Sequence, residues 1–157
     1  MELLSPQYYQ PQCLRWFRHF KRQIAAILPQ ARIEHIGSSA IPGALSKGDL
    51  DIFIGLSQSE IDKAVPLLAA LGFAEKLETL RTQQLCMLEH IELPVALQLV
   101  ANGSEFEFFL LFRDRLRANP QWLAQYNRLK QQCQQLSASE YRQRKSAFIQ
   151  MVLQHKL

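Results

Sequence analysis

Cysteine is scarce in this chain, with Cys13, Cys86 and Cys133 the only three in 157 residues. They are odd in number, widely spaced and free of CxxC or Cys/His patterns, which argues against a disulfide framework and against structural zinc and suits a reducing compartment. Small buried or half-buried roles are the plain expectation for all three. Long apolar runs are missing as well. No stretch approaches the roughly 20 residues needed to cross a bilayer, and Met1-Glu2-Leu3-Leu4-Ser5-Pro6 lacks the basic start and apolar core of a signal peptide. The expectation is a cytoplasmic protein with no membrane partner. Internal repeats, low-complexity tracts and linkers are absent too, so residues 1–157 read as a single domain long enough to bury its own core. Acids are outnumbered by bases, 14 to 18, for a net charge of +4. That excess favours anionic partners; nucleotide phosphates suffice to explain it, and nucleic acid is possible without being required.

What the chain does have is a pair of aspartates set into a strand. In Lys47-Gly48-Asp49-Leu50-Asp51-Ile52-Phe53-Ile54-Gly55, apolar residues alternate with the carboxylates. This is the period-two pattern of a half-buried strand, and residues two apart on a strand share a face. Asp49 and Asp51 therefore stand side by side, and two like charges so placed repel unless a cation neutralises them. A hard divalent ion fits: Mg²⁺ (or Mn²⁺) takes one or two carboxylates together with substrate phosphates. The bland alternative for Asp49 is ordinary Gly-Asp turn chemistry. Asp51 is harder to dismiss, since an aspartate within Leu-Asp-Ile-Phe-Ile is costly without a partner. Upstream, Gly37-Ser38-Ser39 reads as a turn whose backbone N–H groups and hydroxyls can hold phosphate oxygens, or as a plain turn.

Around this pair, helical spacing begins after Pro11, with Leu14, Phe17, Phe20 (or Lys21), Ile24 and Leu28 as its stripe and Pro29 as its end. Ala31–Ile36 reads as a strand and 40–48 as a loop, with the Asp-bearing strand running to about Leu56. Ser57-Gln58-Ser59-Glu60 is a capping box for a helix with Ile61, Val65, Leu68 and Leu71 inward, stopped by Gly72. Strands are expected near Phe73–Leu77, Gln84–Ile91 and Val95–Val100, closed by Asn102-Gly103. The remainder is helical. One helix carries Leu110, Arg113 (or Asp114) and Arg117 and stops near Asn119; Asn119-Pro120 starts another, with Trp122, Tyr126, Leu129, Cys133 and Leu136 as its stripe. Ser137-Ala138-Ser139-Glu140 is a second capping box, and Tyr141, Phe148, Met151 (or Val152) and His155 are placed inward on the last helix.

Gly37-Ser38 followed by Asp49-Leu50-Asp51 resembles the signature of the nucleotidyltransferase superfamily, the DNA polymerase beta-like fold. The stretch His35-Ile36-Gly37-Ser38-Ser39-Ala40-Ile41-Pro42-Gly43 with Lys47 resembles the GrpB family within it. The likeness continues through Phe112-Arg113-Asp114-Arg115-Leu116-Arg117, Tyr126-Asn127-Arg128-Leu129-Lys130, and Tyr141, Lys145 and Phe148-Ile149, nearly the whole chain. The resemblance implies an α+β fold with a small mixed β-sheet flanked by an N-terminal helix and C-terminal helices. It also implies Ser38 near phosphates and Asp51 at the usual acidic position. Asp49 is retained where many GrpB-like proteins carry an apolar residue, which moves the chain towards active transferases.

The third carboxylate of such enzymes is missing. Gln98, in Val95-Ala96-Leu97-Gln98-Leu99-Val100, stands where the resemblance would put an acid, and Gln can neither act as a base nor serve as a charged ligand. Glu92, Glu105 and Glu107 are the nearby substitutes, or solvated charges. Arg113, Lys130 and Lys145 can bind a triphosphate; equally, they can be surface charges, with Asp114 and Glu140 as salt-bridge partners. Lys47, beside Asp49, can touch phosphate or simply offset the acidic pair. His35 reads as a packed, hydrogen-bonded residue, and Trp122, Tyr126 and Phe148 as core. The expected function is Mg-dependent transfer of a nucleoside monophosphate from a nucleoside triphosphate to an unidentified acceptor hydroxyl. The competing expectations are a nucleotide-binding or interaction module on the same fold, without chemistry, and an RNA-binding protein that uses the basic surface.

Overall fold

The computed structural model describes residues 2–155. The elements follow in the order α1 (Pro6–Ile27), β1 (Arg32–Ile36), β2 (Leu50–Leu56), α2 (Gln58–Ala69), β3 (Phe73–Glu75), β4 (Leu85–His90), β5 (Val95–Ala101), α3 (Phe108–Ala118), α4 (Pro120–Gln132) and α5 (Ala138–Gln154). The five strands make one mixed sheet in the order β1-β2-β5-β4-β3, in which only β2 and β5 are parallel. This is the expected α+β architecture.

Strand alternation divides the sheet into two unlike faces. Leu50, Ile52 and Ile54 of β2, with Leu97 and Leu99 of β5, are fully buried and join Phe20 and Ile24 of α1 and Ile61 and Leu68 of α2 in the main core. The opposite face carries Asp51 and Phe53. Asp51 sits in register with Ile36 of β1 on one side and Ala96 of β5 on the other. Phe53 packs with Ile36, Val100 and Leu110, so α3 covers the far end of this face. Helices α3, α4 and α5 pack on one another around Phe112, Tyr126 and Phe148. The Asp51 end of the sheet is left facing α4 and α5.

Several local expectations shift. Helix α1 begins at Pro6 rather than after Pro11, because Ser5 is extended and Pro6 occupies the first turn, where a missing N–H costs nothing. Pro11 is then interior, on the exposed side. The buried stripe is accordingly Tyr9, Cys13, Phe20 and Ile24, and Leu14 is exposed. Ser57 caps α2 by position, but its hydroxyl makes no capping bond; its carbonyl takes the Glu60 N–H instead. The second box does form, with Ser137 Oγ accepting from Glu140 N–H at 3.2 Å. Strand β3 stops at Glu75, leaving Leu77 exposed. In α5 it is Val152, not Met151, that is buried, and His155 is exposed with its ring against the edge of Trp122. Among the described residues no helix is long and apolar enough to cross a membrane.

Candidate functional site

The loop after β1 positions the site. Gly37 has φ 74° and ψ −173°, a region essentially closed to other residues, and it turns the chain into a 3-10 turn over Ser38–Ala40. A second reason reserves the position for glycine: a Cβ there would fall inside the contact shell of the Asp51 carboxylate. The turn is thus pressed against Asp51. Gly37→Ala is expected to lower stability by about 1–3 kcal/mol from backbone strain alone, read as a drop in the urea midpoint, whereas a mere surface turn would tolerate it.

A cavity of about 380 Å³ opens beside this turn, lined by Gly37, Ser38, Ser46, Lys47, Asp49, Asp51, Tyr126, Lys130, Tyr141 and Lys145 among others. Asp49 and Asp51 therefore do share one cavity. Asp49 accepts from Ser46 Oγ at 3.1 Å and lies 3.9 Å from Lys47 Nζ. Asp51 is the more enclosed. Burial, and then the neighbouring Asp49 charge, push its carboxyl up to about 6, against opposition from Lys145, a Gln98 hydrogen bond and Lys47. It is a carboxylate short of positive charge.

Lys130 reaches in from α4. Only 4 % exposed, its ammonium donates to Ser38 Oγ and to the Leu45 carbonyl and stands 4.2 Å from the centre of the Tyr126 ring. Burial lowers its proton affinity while Tyr126 opposes that shift. Lys130 thus fixes the Ser38 oxygen, and the same hydroxyl hydrogen-bonds with the Tyr126 phenol. Lys145 comes from α5; Tyr126 above all, then Tyr141, Asp51 and Asp49, hold it strongly protonated despite burial. Burial pushes the Tyr126 phenol up, but Lys145 and Lys130 outweigh it and the net direction is down.

Of the residues anticipated from the sequence, Gly37, Ser38, Lys47, Asp49, Asp51, Lys130 and Lys145 meet at this cavity. Ser39 and Arg113 do not. Ser39 turns away, within 2.7 Å of His35 Nε2, whose ring stacks on Phe17. Arg113 is buried on α3 and donates to Glu34 Oε1 at 2.9 Å, Asp114 Oδ1 at 2.9 Å and the His35 carbonyl at 3.0 Å, so its guanidinium braces β1. None of Glu92, Glu105 and Glu107 lines the cavity, and Glu107 instead accepts from Gly103 N–H. Gln98 lies on the Asp51 face, its Nε2 3.4 Å from Asp51 Oδ1, while its Oε1 is buried without a partner. Among the described residues no three His, Cys, Asp or Glu side chains gather as a metal-holding group. Tyr126, Tyr141 and Ser46 are among the lining residues not anticipated. Helical spacing puts Tyr126 in the core and Tyr141 inward; the Tyr126/Lys130 separation of four, one helical face, is the usable signal. Ser46, three residues before Asp49, gave only a turn signal.

The family model for GrpB protein matches residues 7–155. A UPF0157 protein of Vibrio cholerae is 54% identical over 154 residues, covering 98% of this chain and 82% of that one. The chain belongs to the GrpB family. Among solved structures, conserved protein GrpB from Enterococcus faecalis superposes with a TM-score of 0.77 at 24% identity, over 96% of this chain and 94% of that one. The Cid1 poly(U) polymerase with MgGTP bound superposes at 0.52 and 14% identity, over 73% of this chain and 39% of the polymerase. The GrpB fold here is thus nucleotidyltransferase-like.

Proposed function

We propose that this GrpB protein binds a nucleoside triphosphate with Mg²⁺ (or Mn²⁺) in the Asp49/Asp51 cavity and transfers its nucleoside monophosphate to an acceptor hydroxyl. The observation that carries this reading is one cavity in which two carboxylates, a glycine-serine turn and three lysine side chains converge. Likeness of fold to a polymerase solved with MgGTP supports it. The residues fit the ion: two carboxylates in one cavity, completed by phosphate oxygens, suit a hard, octahedral cation. When bound, the ion would neutralise charge developing on the leaving pyrophosphate. The chain supplies the rest. Ser38 O–H and the turn's N–H groups orient phosphate oxygens, and Lys130 fixes Ser38. Lys145 stays charged, as a triphosphate partner must. In the reaction the acceptor oxygen bonds to the α-phosphorus, the bond to pyrophosphate breaks, and the hydroxyl proton passes to solvent water.

A second reading, a nucleotide-binding module without chemistry, is favoured by Gln98 in place of a third acid. Pyrophosphate release from each of the four NTPs with Mg²⁺ or Mn²⁺, with and without metabolite extract, separates the two. Ser38→Ala should weaken triphosphate binding by about 1.5–3 kcal/mol, roughly one to two decades, by removing a hydrogen bond to a charged oxygen. Nucleoside binding should be unchanged in the same titration calorimetry; equal loss of both would remove Ser38 from the phosphate site.

A further inference from the structure

Helix α1 has an outer face that neither the core nor the cavity uses. Tyr8, Pro11, Arg15, Arg18 and Arg22 follow one another at separations of three and four, which puts them on a single stripe opposite Cys13, Phe20 and Ile24. All five are exposed, and Tyr8, at 75 %, is the most exposed aromatic side chain among the described residues. The helix contains no Asp or Glu. Among the described residues, none of Arg15, Arg18 and Arg22 is in an ion pair. Arg15 donates to Gln12 Oε1 at 2.7 Å within the helix, and cations without an acid partner in an acid-free row make a surface that lacks an anion.

The stripe leads somewhere. Along one flank of its N-terminal half runs a groove of about 420 Å³, walled by Pro11 and Leu14 of α1, by Ala40 and Pro42, and by Arg117. Arg117 Nε is spent on the Ala40 carbonyl at 2.7 Å, while the side chain remains exposed. The same end of α1 is tied to the phosphate turn: Gln10 donates to the Ser38 carbonyl at 3.3 Å and to the Ile41 carbonyl at 2.9 Å. Just before the helix, Leu4 pairs with Ser46, and Leu3 and Ser46 both line the reaction cavity. The N-terminal end of α1 is therefore the end of the stripe nearer the loop residues Ser38 and Ser46 that line the cavity. From residue 8 to residue 22 the stripe spans roughly 21 Å at 1.5 Å per residue.

We propose that this face of α1 binds single-stranded nucleic acid and presents its terminal hydroxyl as the acceptor. Arg15, Arg18, Arg22 and Arg117 take successive phosphates, and Tyr8 takes an unpaired base on its ring. The exposed aromatic decides for a single strand: a duplex keeps its base faces stacked and has nothing to lay on Tyr8. It also decides against an acidic membrane surface, which a stripe whose only apolar side chains are Tyr8 and Pro11 would enter poorly. Presentation as acceptor rests on the transferase reading; binding of the strand does not.

The test is fluorescence anisotropy with labelled RNA and DNA 15-mers, as single strands and as duplexes, at 50 and 200 mM salt. Four phosphate contacts predict that single-strand affinity falls about 50-fold between the two, from a slope near −0.7 per contact. The doubly substituted Arg18→Ala/Arg22→Ala should halve that slope, and Tyr8→Ala should cost about fivefold or more on single strands. Both variants should bind Mg-NTP like wild type, since neither touches the cavity. Comparison of RNA with DNA assigns the sugar. The inference fails if the single strand is not retained at 50 mM, if the variants bind it unchanged, if duplex is preferred, or if phosphatidylserine vesicles sediment the protein instead. Wild type that binds Mg-NTP but no strand overturns this inference alone. Wild type that binds the strand but no Mg-NTP overturns the transferase reading, and with it the acceptor role.

Discussion

Asp51→Asn is expected to abolish detectable Mg-NTP binding while making the free protein more stable above about pH 6. Both halves follow from one environment. The Asp51 carboxyl is enclosed between Gly37, Gln98 and the sheet, with the Asp49 charge nearby, and its pKa is raised from 3.8 to about 6. A carboxyl raised in this way favours the folded state only while it is protonated. Its contribution is fully present below the ordinary value near 4 and is lost as pH rises through about 6. Asparagine is neutral at every pH and keeps an oxygen for the Gln98 amide, so it should raise the melting temperature at pH 8 and leave it little changed at pH 4. Ligand binding runs the other way. A cation and a triphosphate need the ionised carboxylate, so wild-type affinity for Mg-NTP should fall as pH drops through 6. Melting curves and Mg-NTP titrations at pH 4, 6 and 8 check both signs. An Asp51→Asn protein that binds Mg-NTP as tightly as wild type would move the site elsewhere.

How far the sequence discloses this arrangement depends on whether a residue's partner is local. Alternation in Asp49-Leu50-Asp51-Ile52 is a local signal, and it correctly separates the buried Leu50 and Ile52 from an Asp51 facing the cavity. Asn119-Pro120 likewise caps α4, through Asn119 Oδ1 to the Gln121 and Trp122 N–H groups. Residues whose roles are fixed by distant chain segments read less well. Arg113 meets Glu34 from 79 positions away, and that pairing, invisible in the helical pattern, takes it out of the phosphate candidates. Lys130 meets Ser38 across 92 positions, and the same kind of long-range packing brings it in. Tyr126 has the apolar spacing of a core residue and is indeed buried, yet its ring also forms a cavity wall. Periodicity reports which face is turned inward, not whether the interior at that point is packed or hollow.

Gln98 yields the other large effect, and it is where the transferase and the binding module part. Its amide donates to Asp51 and its buried carbonyl oxygen has no donor, an arrangement that costs about 1–3 kcal/mol if nothing fills it. Gln98 does not itself line the cavity, so it is a hydroxyl reaching past Asp51 that would satisfy this oxygen, and Gln98 would then aim the hydroxyl without removing its proton. Wild type should therefore bind Mg-NTP well and release pyrophosphate slowly. Gln98→Glu preserves shape and places a base at the same point, and general-base assistance is worth about 10²–10⁴-fold. Turnover should rise by that order, with a lower melting temperature in the absence of metal from a third negative charge beside Asp49 and Asp51. Gln98→Leu, which can neither aim nor accept, should fall below wild type without losing Mg-NTP. Should wild type already be fast and Gln98→Glu add nothing, the base lies elsewhere in the cavity, and Tyr126, held between Lys130 and Lys145, is the group to replace next. If wild type and Gln98→Glu both bind Mg-NTP and neither releases pyrophosphate with any nucleotide or acceptor, the cavity is a binding site, and the transferase reading is abandoned.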